Sequence, residues 1–114
     1  MIRIYHNNRC SKSRATLQLL QERGEQLTVI NYLETPPTAA ELTVLLTQLG
    51  MTARQLLRQG ETEYESLGLA DPALDDAALI ASMVAHPKLI ERPIVVANGK
   101  AALGRPPEAV LAIL

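Results

Sequence analysis

The chain lacks the residues from which disulfide frameworks and metal sites are built. Its 114 residues include one cysteine, Cys10, and two isolated histidines, His6 and His86. A single cysteine excludes an intramolecular disulfide and any zinc site made of several thiolates, and two isolated histidines do not supply the missing ligands. A chain of this size buries roughly 65% of its unfolded surface and needs no crosslink to fold. We therefore expect one domain, residues 1–114, with no metal and no bound cofactor.

Long apolar segments and a strong net charge are also missing. The longest apolar runs are about six residues, whereas a bilayer-spanning helix needs about 20. The N-terminus has no charged segment followed by an apolar one, which a secretory signal requires. The formal net charge of −1 gives no reason to expect nucleic acid or an anionic membrane as a partner. These absences predict a soluble, cytoplasmic protein that binds neither.

The charges that are present are unevenly distributed. Residues 1–14 carry Arg3, Arg9, Lys12 and Arg14 and no acidic residue, a local charge of +4, whereas the remainder of the chain carries −5. Cys10 lies inside this positive segment. Four cations in a short terminus are by themselves typical of a solvated surface. The secondary structure around Cys10 gives them a second interpretation.

The first third of the sequence has the pattern of a βαβ unit. Residues 2–6 alternate apolar and polar side chains, as a strand does, and a helical pattern then begins at Ser11, includes Ala15 on its apolar face and closes at Gly24. Residues 27–33 are rich in β-branched and aromatic side chains and predict a second, buried strand. We expect the two strands to be parallel, with a right-handed crossover.

A helical insertion is predicted over about 38–86. Capping boxes, in which a threonine is followed three residues later by Glu or Gln, indicate helix starts at Thr38 and Thr52. Asp75 or Asp76 caps the last helix of the insertion.

The final third returns to strands. Two short apolar segments, 94–97 and 100–103, flank Asn98-Gly99, the pair most favoured in a two-residue type I′ hairpin turn. A closing helix follows with Pro107 near its first turn, and its predicted buried side consists of Val110, Leu111 and Leu114.

The order of these elements indicates the fold class. A βαβ unit, a helical insertion and a ββα unit form an α/β protein of thioredoxin-like layout, in which helices flank a mixed sheet. Cys10 then lies where the first strand gives way to the first helix.

Two interpretations of Cys10 compete. A lone cysteine is usually a small buried hydrophobe. Against burial, however, residues 7–9, 11 and 12 are all polar. The first amides of a helix have no internal acceptors, and together with the nearby cations they favour a thiolate. We therefore identify Cys10 as a nucleophile with an accessible sulfur.

The same helix start suits a small tetrahedral oxyanion, with the Ser13 hydroxyl as a further partner. Arginines bind such an ion through paired hydrogen bonds, and the candidates outside the N-terminal segment are Arg58, Arg92 and Arg105. Each of them is equally consistent with a solvated surface cation, and Arg58 has the weakest independent support.

Two further residues have open roles. His6, on the strand leading to Cys10, either approaches the thiol or simply caps the strand end. Pro93 precedes the hairpin, at the position where a thioredoxin-like layout places a cis bond facing the nucleophile, and the sequence leaves its isomer open.

Several segments, in order along nearly the whole chain, resemble those of the glutaredoxin-dependent arsenate reductase (ArsC) family, most closely its short chromosomal branch. These segments are IYHNNRCSKSR, NYLETPPT, RQLLRQ, EYESLGLAD, HPKLIERPIVVANGKA and LGRPPE. The resemblance implies residue roles that spacing alone leaves open. It implies a catalytic cysteine at Cys10, a histidine at His6 that favours the thiolate, and a cis-proline at Pro93. It also implies oxyanion binding by Arg58, Arg92 and Arg105, with Ser13 and Arg14 flanking the anion.

The activity implied by the resemblance is reduction of arsenate to arsenite. Cys10 attacks arsenate to form a covalent adduct, glutathione attacks the adduct as cosubstrate, and glutaredoxin resolves the product. One requirement is independent of the family: the reduction takes two electrons, a pair of thiols supplies two, and this chain has one thiol. An external thiol must therefore complete the cycle.

Two alternatives share the fold. One is a general, glutaredoxin-like thiol oxidoreductase that carries a glutathione mixed disulfide on Cys10. The other is an Spx-like regulator that binds RNA polymerase. Many such regulators carry Cys-x-x-Cys where this chain has Cys10 and Ser13, and a regulator does not need the three arginines.

Overall fold

The computed structural model describes residues 2–114. They form two compact units. One unit runs to Thr35 and resumes at Arg92, and the other spans Pro36–Glu91. The second unit contains the predicted helical insertion, and the expectation of one domain over 1–114 stays a prediction.

The first unit is built on a four-stranded mixed sheet. Its strands, in chain order, are β1 (Ile2–His6), β2 (Leu27–Asn31), β3 (Ile94–Ala97) and β4 (Lys100–Leu103). The spatial order is β2-β1-β3-β4; β1 is parallel to β2 and antiparallel to β3, and β3 is antiparallel to β4. Helix α1 (Ser11–Glu22) connects β1 to β2. The predicted βαβ unit and mixed sheet are confirmed.

The hairpin between β3 and β4 has the predicted turn. Ala97 pairs with Lys100, and the two residues between them have positive φ angles, 54° at Asn98 and 74° at Gly99. Both central residues of a type I′ turn require this left-handed conformation, which Asn and Gly tolerate best. The turn therefore fixes the register of the last two strands.

The prediction that the second strand is buried is wrong. Strand β2 ends at Asn31 and lies at the edge of the sheet, where β1 is its only neighbouring strand within residues 2–114. Val29 is 48% exposed. The β-branched composition of this segment favours a strand, but it does not determine whether that strand lies at the centre or at the edge.

The closing helix also differs from its prediction. It is a 3-10 helix over Pro107–Ile113, in which Val110 is fully buried while Leu111 is 39% exposed. A 3-10 helix has three residues per turn, so residues three apart share one face. Val110 and Ile113 therefore face the core together, and the predicted burial of Leu111 is wrong.

Helix α1 buries a partly polar face. Ser13, Thr16 and Leu20 are fully buried, whereas Ala15 is exposed, contrary to its predicted place on the apolar face. The hydroxyl of Thr16 donates to the carbonyl of Lys12 at 2.8 Å. Because buried hydroxyls cost little free energy once they are hydrogen-bonded, this face packs without an apolar side chain at every position.

The second unit consists of helices joined by turns. They are α2 (Ala39–Leu49), α3 (Ala53–Leu56), α4 (Thr62–Ser66) and α5 (Asp76–Ala85), and a 3-10 turn over Pro87–Leu89 follows them. No helix within residues 2–114 is both long enough and apolar enough to cross a bilayer.

The helix starts of the second unit follow the predicted caps. Both capping boxes are formed, at Thr38 and at Thr52. Asp75 is the cap of α5, and its side chain accepts the backbone N–H of Ala78 at 2.9 Å. Of the two aspartates left open by the sequence, the structure therefore selects the first.

Candidate active site

Cys10 is the N-cap residue of α1. Its backbone is extended, with φ −97° and ψ 122°, and its carbonyl accepts the N–H of Arg14 at 3.0 Å. Its own side chain makes no capping hydrogen bond, and the first turn of the helix contains no acidic residue. The sulfur is therefore attached at the positive end of a 12-residue helix, where a negative charge is stabilised.

The expectation of an exposed sulfur is wrong, because Cys10 is only 7% exposed. Its sequence neighbours Arg9, Ser11 and Lys12 are exposed, as their polarity suggests. An N-cap residue, however, lies where the chain turns, and its side chain can point inward while its neighbours point outward. Arg105, which is distant in the sequence, also shields the sulfur from solvent.

Arg105 bridges the nucleophile and the segment that precedes β3. Its Nη2 group donates to the Sγ atom of Cys10 at 3.9 Å, and its Nε group donates to the backbone carbonyl of Arg92 at 2.8 Å. The structure thus brings together three of the predicted site residues. The guanidinium places a fixed positive charge against the sulfur.

A close contact between the backbones of Gly104 and Pro93 holds Arg105 beside Cys10. The N–H of Gly104 donates to the carbonyl of Pro93 at 3.0 Å. A Cβ atom on Gly104 would lie 2.3 Å from the hydroxyl of Thr16 and 2.7 Å from the Pro93 ring, so only glycine fits. The Arg92–Pro93 and Arg105–Pro106 peptide bonds are both cis.

His6 is buried beneath the loop that precedes Cys10. Its Nδ1 atom pairs with Ser13 Oγ and its Nε2 atom with Asn8 Oδ1, both at 2.6 Å. The Asn7 N–H also donates to Ser13 Oγ, at 3.0 Å. Because a carboxamide oxygen only accepts, Nε2 donates to Asn8, and in the neutral ring Nδ1 accepts the Ser13 hydroxyl proton. His6 and Ser13 therefore connect β1, the loop and α1.

Two asparagines in this loop have roles that sequence reasoning missed. The Asn7 carbonyl accepts the Cys10 N–H at 3.0 Å, and its side chain accepts the Arg9 N–H at 2.9 Å. The Asn8 carbonyl accepts from Nη1 of Arg14 at 2.9 Å. Their position after a strand is typical of a turn, which was the available signal. In this structure Arg14 braces the loop, and its role towards substrate stays a prediction.

Arg58 belongs to the second unit. The Leu57–Ile90 bridge is flanked by a hydrogen bond from the N–H of Arg58 to the carbonyl of Leu89, at 2.7 Å. The guanidinium forms salt bridges to Glu61, through Nη1, and to Glu91, through Nε at 3.5 Å. Its predicted role in oxyanion binding stays a prediction.

Metal binding has no visible basis in the described part of the chain. Within residues 2–114, no group of three or more His, Cys, Asp or Glu side chains could hold a metal ion. The chemistry available around Cys10 is that of a sulfur nucleophile beside a guanidinium and a helix start.

Comparison with known proteins defines the family. The model of the ArsC family matches residues 5–113. This chain belongs to the ArsC family. The match extends over both units and includes Cys10, Arg58, Arg92 and Arg105.

Named relatives agree with the placement in the ArsC family. The chain is 52% identical over 114 residues to the arsenate reductase of Neisseria meningitidis serogroup A, covering 99% of this chain and 97% of that protein. It is 60% identical to the uncharacterized protein YfgD of Escherichia coli, covering 99% and 96%. The solved structure of an arsenate reductase from Vibrio cholerae superposes with a TM-score of 0.96 at 55% identity, covering 99% and 97%. The thioredoxin-like fold expected from the element order is that of the ArsC arsenate reductases.

Proposed function

We propose that this protein is an arsenate reductase in which Cys10 is the nucleophile. The single observation that supports this most strongly is the contact between Arg105 Nη2 and Cys10 Sγ, at the N-cap of α1. An anionic sulfur and an anionic substrate both gain from a positive helix end and a fixed guanidinium. The arsenate reductase names of several relatives supply the substrate.

In the proposed reaction the Cys10 thiolate attacks arsenic. A sulfur–arsenic bond forms, an arsenic–oxygen bond breaks, and the oxygen leaves as water after taking up protons. Arg105, Arg92 and Arg58 stabilise the negative charge of the oxyanion and of the adduct. Arsenic is still pentavalent at this stage, so the electron pair has to come from the thiols in the next step.

Glutathione and glutaredoxin complete the proposed cycle. Glutathione attacks the adduct, so that a second sulfur–arsenic bond forms and an arsenic–oxygen bond breaks with loss of water. A glutaredoxin thiolate then attacks the glutathione sulfur: a glutathione–glutaredoxin disulfide forms, the glutathione–arsenic bond breaks, and its electron pair reduces arsenic to the trivalent state. Water hydrolyses the remaining Cys10–arsenic bond, which releases arsenite and regenerates the Cys10 thiol. Cys10 is the chain's one thiol, so an external reductant is required whatever its identity. The glutathione-rich cytoplasm is the compartment that suits this cycle.

The role we propose for His6 is indirect. Both ring nitrogens are engaged, by Ser13 and by Asn8, so His6 acts on the nucleophile by fixing the loop and the first turn of α1. Ser13 is fully buried and contributes to the same network. Pro93 positions the adjacent Arg92, whose backbone carbonyl accepts a hydrogen bond from Arg105.

The test is arsenate-dependent oxidation of a reconstituted glutathione and glutaredoxin system by the purified full chain. We expect turnover that requires arsenate, glutaredoxin and Cys10. Glutathione-dependent disulfide exchange with no dependence on arsenate would instead support the glutaredoxin-like alternative. Capture of RNA polymerase in the absence of any turnover would support the regulator.

A further inference from the structure

Arg58 has two carboxylate partners, both within the second unit. Nη1 of Arg58 pairs with Glu61 Oε1, and Nε pairs with Glu91 Oε1 at 3.5 Å. The three side chains are only 22 to 28% exposed, so solvent screens these pairs less than it screens pairs on an open surface. Two negative charges therefore offset the positive charge of Arg58.

The side chain of Glu61 pairs with Arg58 and does not cap its own helix. It is the N-cap residue of α4, yet its side chain makes no capping hydrogen bond to that helix. A carboxylate at an N-cap ordinarily accepts one of the first free amides, which stabilises the helix. The side chain of Glu61 is directed to the guanidinium instead.

The backbone fixes Glu91 next to Arg58. The Leu57–Ile90 bridge has a hydrogen bond on either side of it, from the Arg58 N–H to the Leu89 carbonyl at 2.7 Å and from the Glu91 N–H to the Leu56 carbonyl at 3.1 Å. The position of Glu91 thus follows from backbone pairing between two segments distant in the sequence.

We propose that Glu61 and Glu91 are positioning residues that lower the oxyanion affinity of Arg58. This inference rests on the proposed function, in which Arg58 binds the oxyanion. A dianion that approaches Arg58 must displace a carboxylate or tolerate its repulsion, and either effect weakens binding. Phosphate and arsenate have the same charge and shape, so binding alone separates them poorly. Weaker binding limits how much of the site phosphate occupies. Discrimination between arsenate and phosphate is then left to the reaction at Cys10.

The experiment is calorimetric titration of the full chain with inorganic phosphate, which binds without reacting. We expect Glu61→Gln to bind phosphate about two- to fivefold more tightly than the wild type, the range that a partly exposed ion pair allows. Glu91→Gln should change affinity in the same direction but by less, because its contact with Arg58 is longer. Glu65→Gln removes the same charge from an exposed position of the same helix and should leave affinity unchanged.

The effect must depend on Arg58. In an Arg58→Gln background, Glu61→Gln should no longer change phosphate affinity. In the otherwise wild-type chain, Glu61→Gln should also lower the KM for arsenate.

Unchanged phosphate affinity in Glu61→Gln would overturn the proposal, and so would an effect that persists without Arg58. A wild-type chain that binds no phosphate would also overturn it. Failure of the proposed function is observed separately, as a lack of arsenate-dependent turnover in a chain that still binds phosphate.

Discussion

Arg105 and Cys10 are 95 residues apart in the sequence, yet an Nη2–Sγ hydrogen bond of 3.9 Å joins them. The same guanidinium donates to the Arg92 carbonyl at 2.8 Å. The nucleophile at the start of α1 is therefore paired with a cation that the segment before β3 holds in place. This pairing links the fold of the first unit to its proposed chemistry.

Replacing Arg105 should weaken arsenate turnover strongly. Arg105→Ala removes a charged hydrogen bond from Cys10 Sγ, and bonds of this kind contribute about 1.5 to 3 kcal/mol. We expect kcat/KM for arsenate to fall about 10- to 150-fold, as measured in the glutathione and glutaredoxin assay. Arg23→Ala is the matched control because Arg23 pairs with Glu25 on the surface, at 3.7 Å. Equal rates in the two variants would contradict the assigned role of Arg105.

Replacing Gly104 should destabilise the fold around the site. In Gly104→Ala the new methyl group overlaps the buried, β-branched Thr16 and the Pro93 ring. Overpacking of this kind costs about 1 to 3 kcal/mol, which should be measurable as a lower free energy of unfolding in a urea titration. Gly60→Ala is the control, because a Cβ atom there meets nothing within 4 Å. Equal stability of the two variants would show that the close contact is relieved at no cost.

Ser13 is predicted to be a structural residue as well as a site residue. Ser13→Ala leaves the buried His6 Nδ1 and the partly buried Asn7 N–H without their shared partner. Each unsatisfied buried group costs about 1 to 3 kcal/mol, so the free energy of unfolding should fall by at least that amount. Ser11→Ala removes an exposed hydroxyl two residues earlier in the same helix and should have little effect. A Ser13→Ala protein as stable as Ser11→Ala would indicate that the network contributes little.

The sequence was most informative where structure is decided locally. The Asn98-Gly99 turn, both capping boxes and the Asp75 cap each depend on residues within about four positions, and all are present. Burial was predicted less well. The inward position of Cys10 depends on a turn of the chain and on Arg105, which its immediate neighbours do not reveal.

The ion pairs of Arg58 show the same difference between contacts that are local in the sequence and contacts that the fold creates. Glu61 lies three residues away and is accessible to pattern reasoning, whereas Glu91 is brought close only by the Leu57–Ile90 bridge. The predicted burial of Leu111 is wrong for a different reason. The prediction uses the period of an α-helix, whereas the closing helix is a 3-10 helix with three residues per turn.

The most direct test of the account is the rate at which iodoacetamide alkylates Cys10 in the native full chain, measured by mass spectrometry with and without arsenate. Cys10 is only 7% exposed, but one of the groups that shield its sulfur is the side chain of Arg105, which is itself exposed. Because an exposed side chain can move aside, the sulfur should react in the folded protein. Arsenate should slow the reaction in a saturable manner because it occupies the same site. A sulfur that reacts only in denaturant, or at a rate independent of arsenate, would contradict the assignment of Cys10 as the arsenate nucleophile.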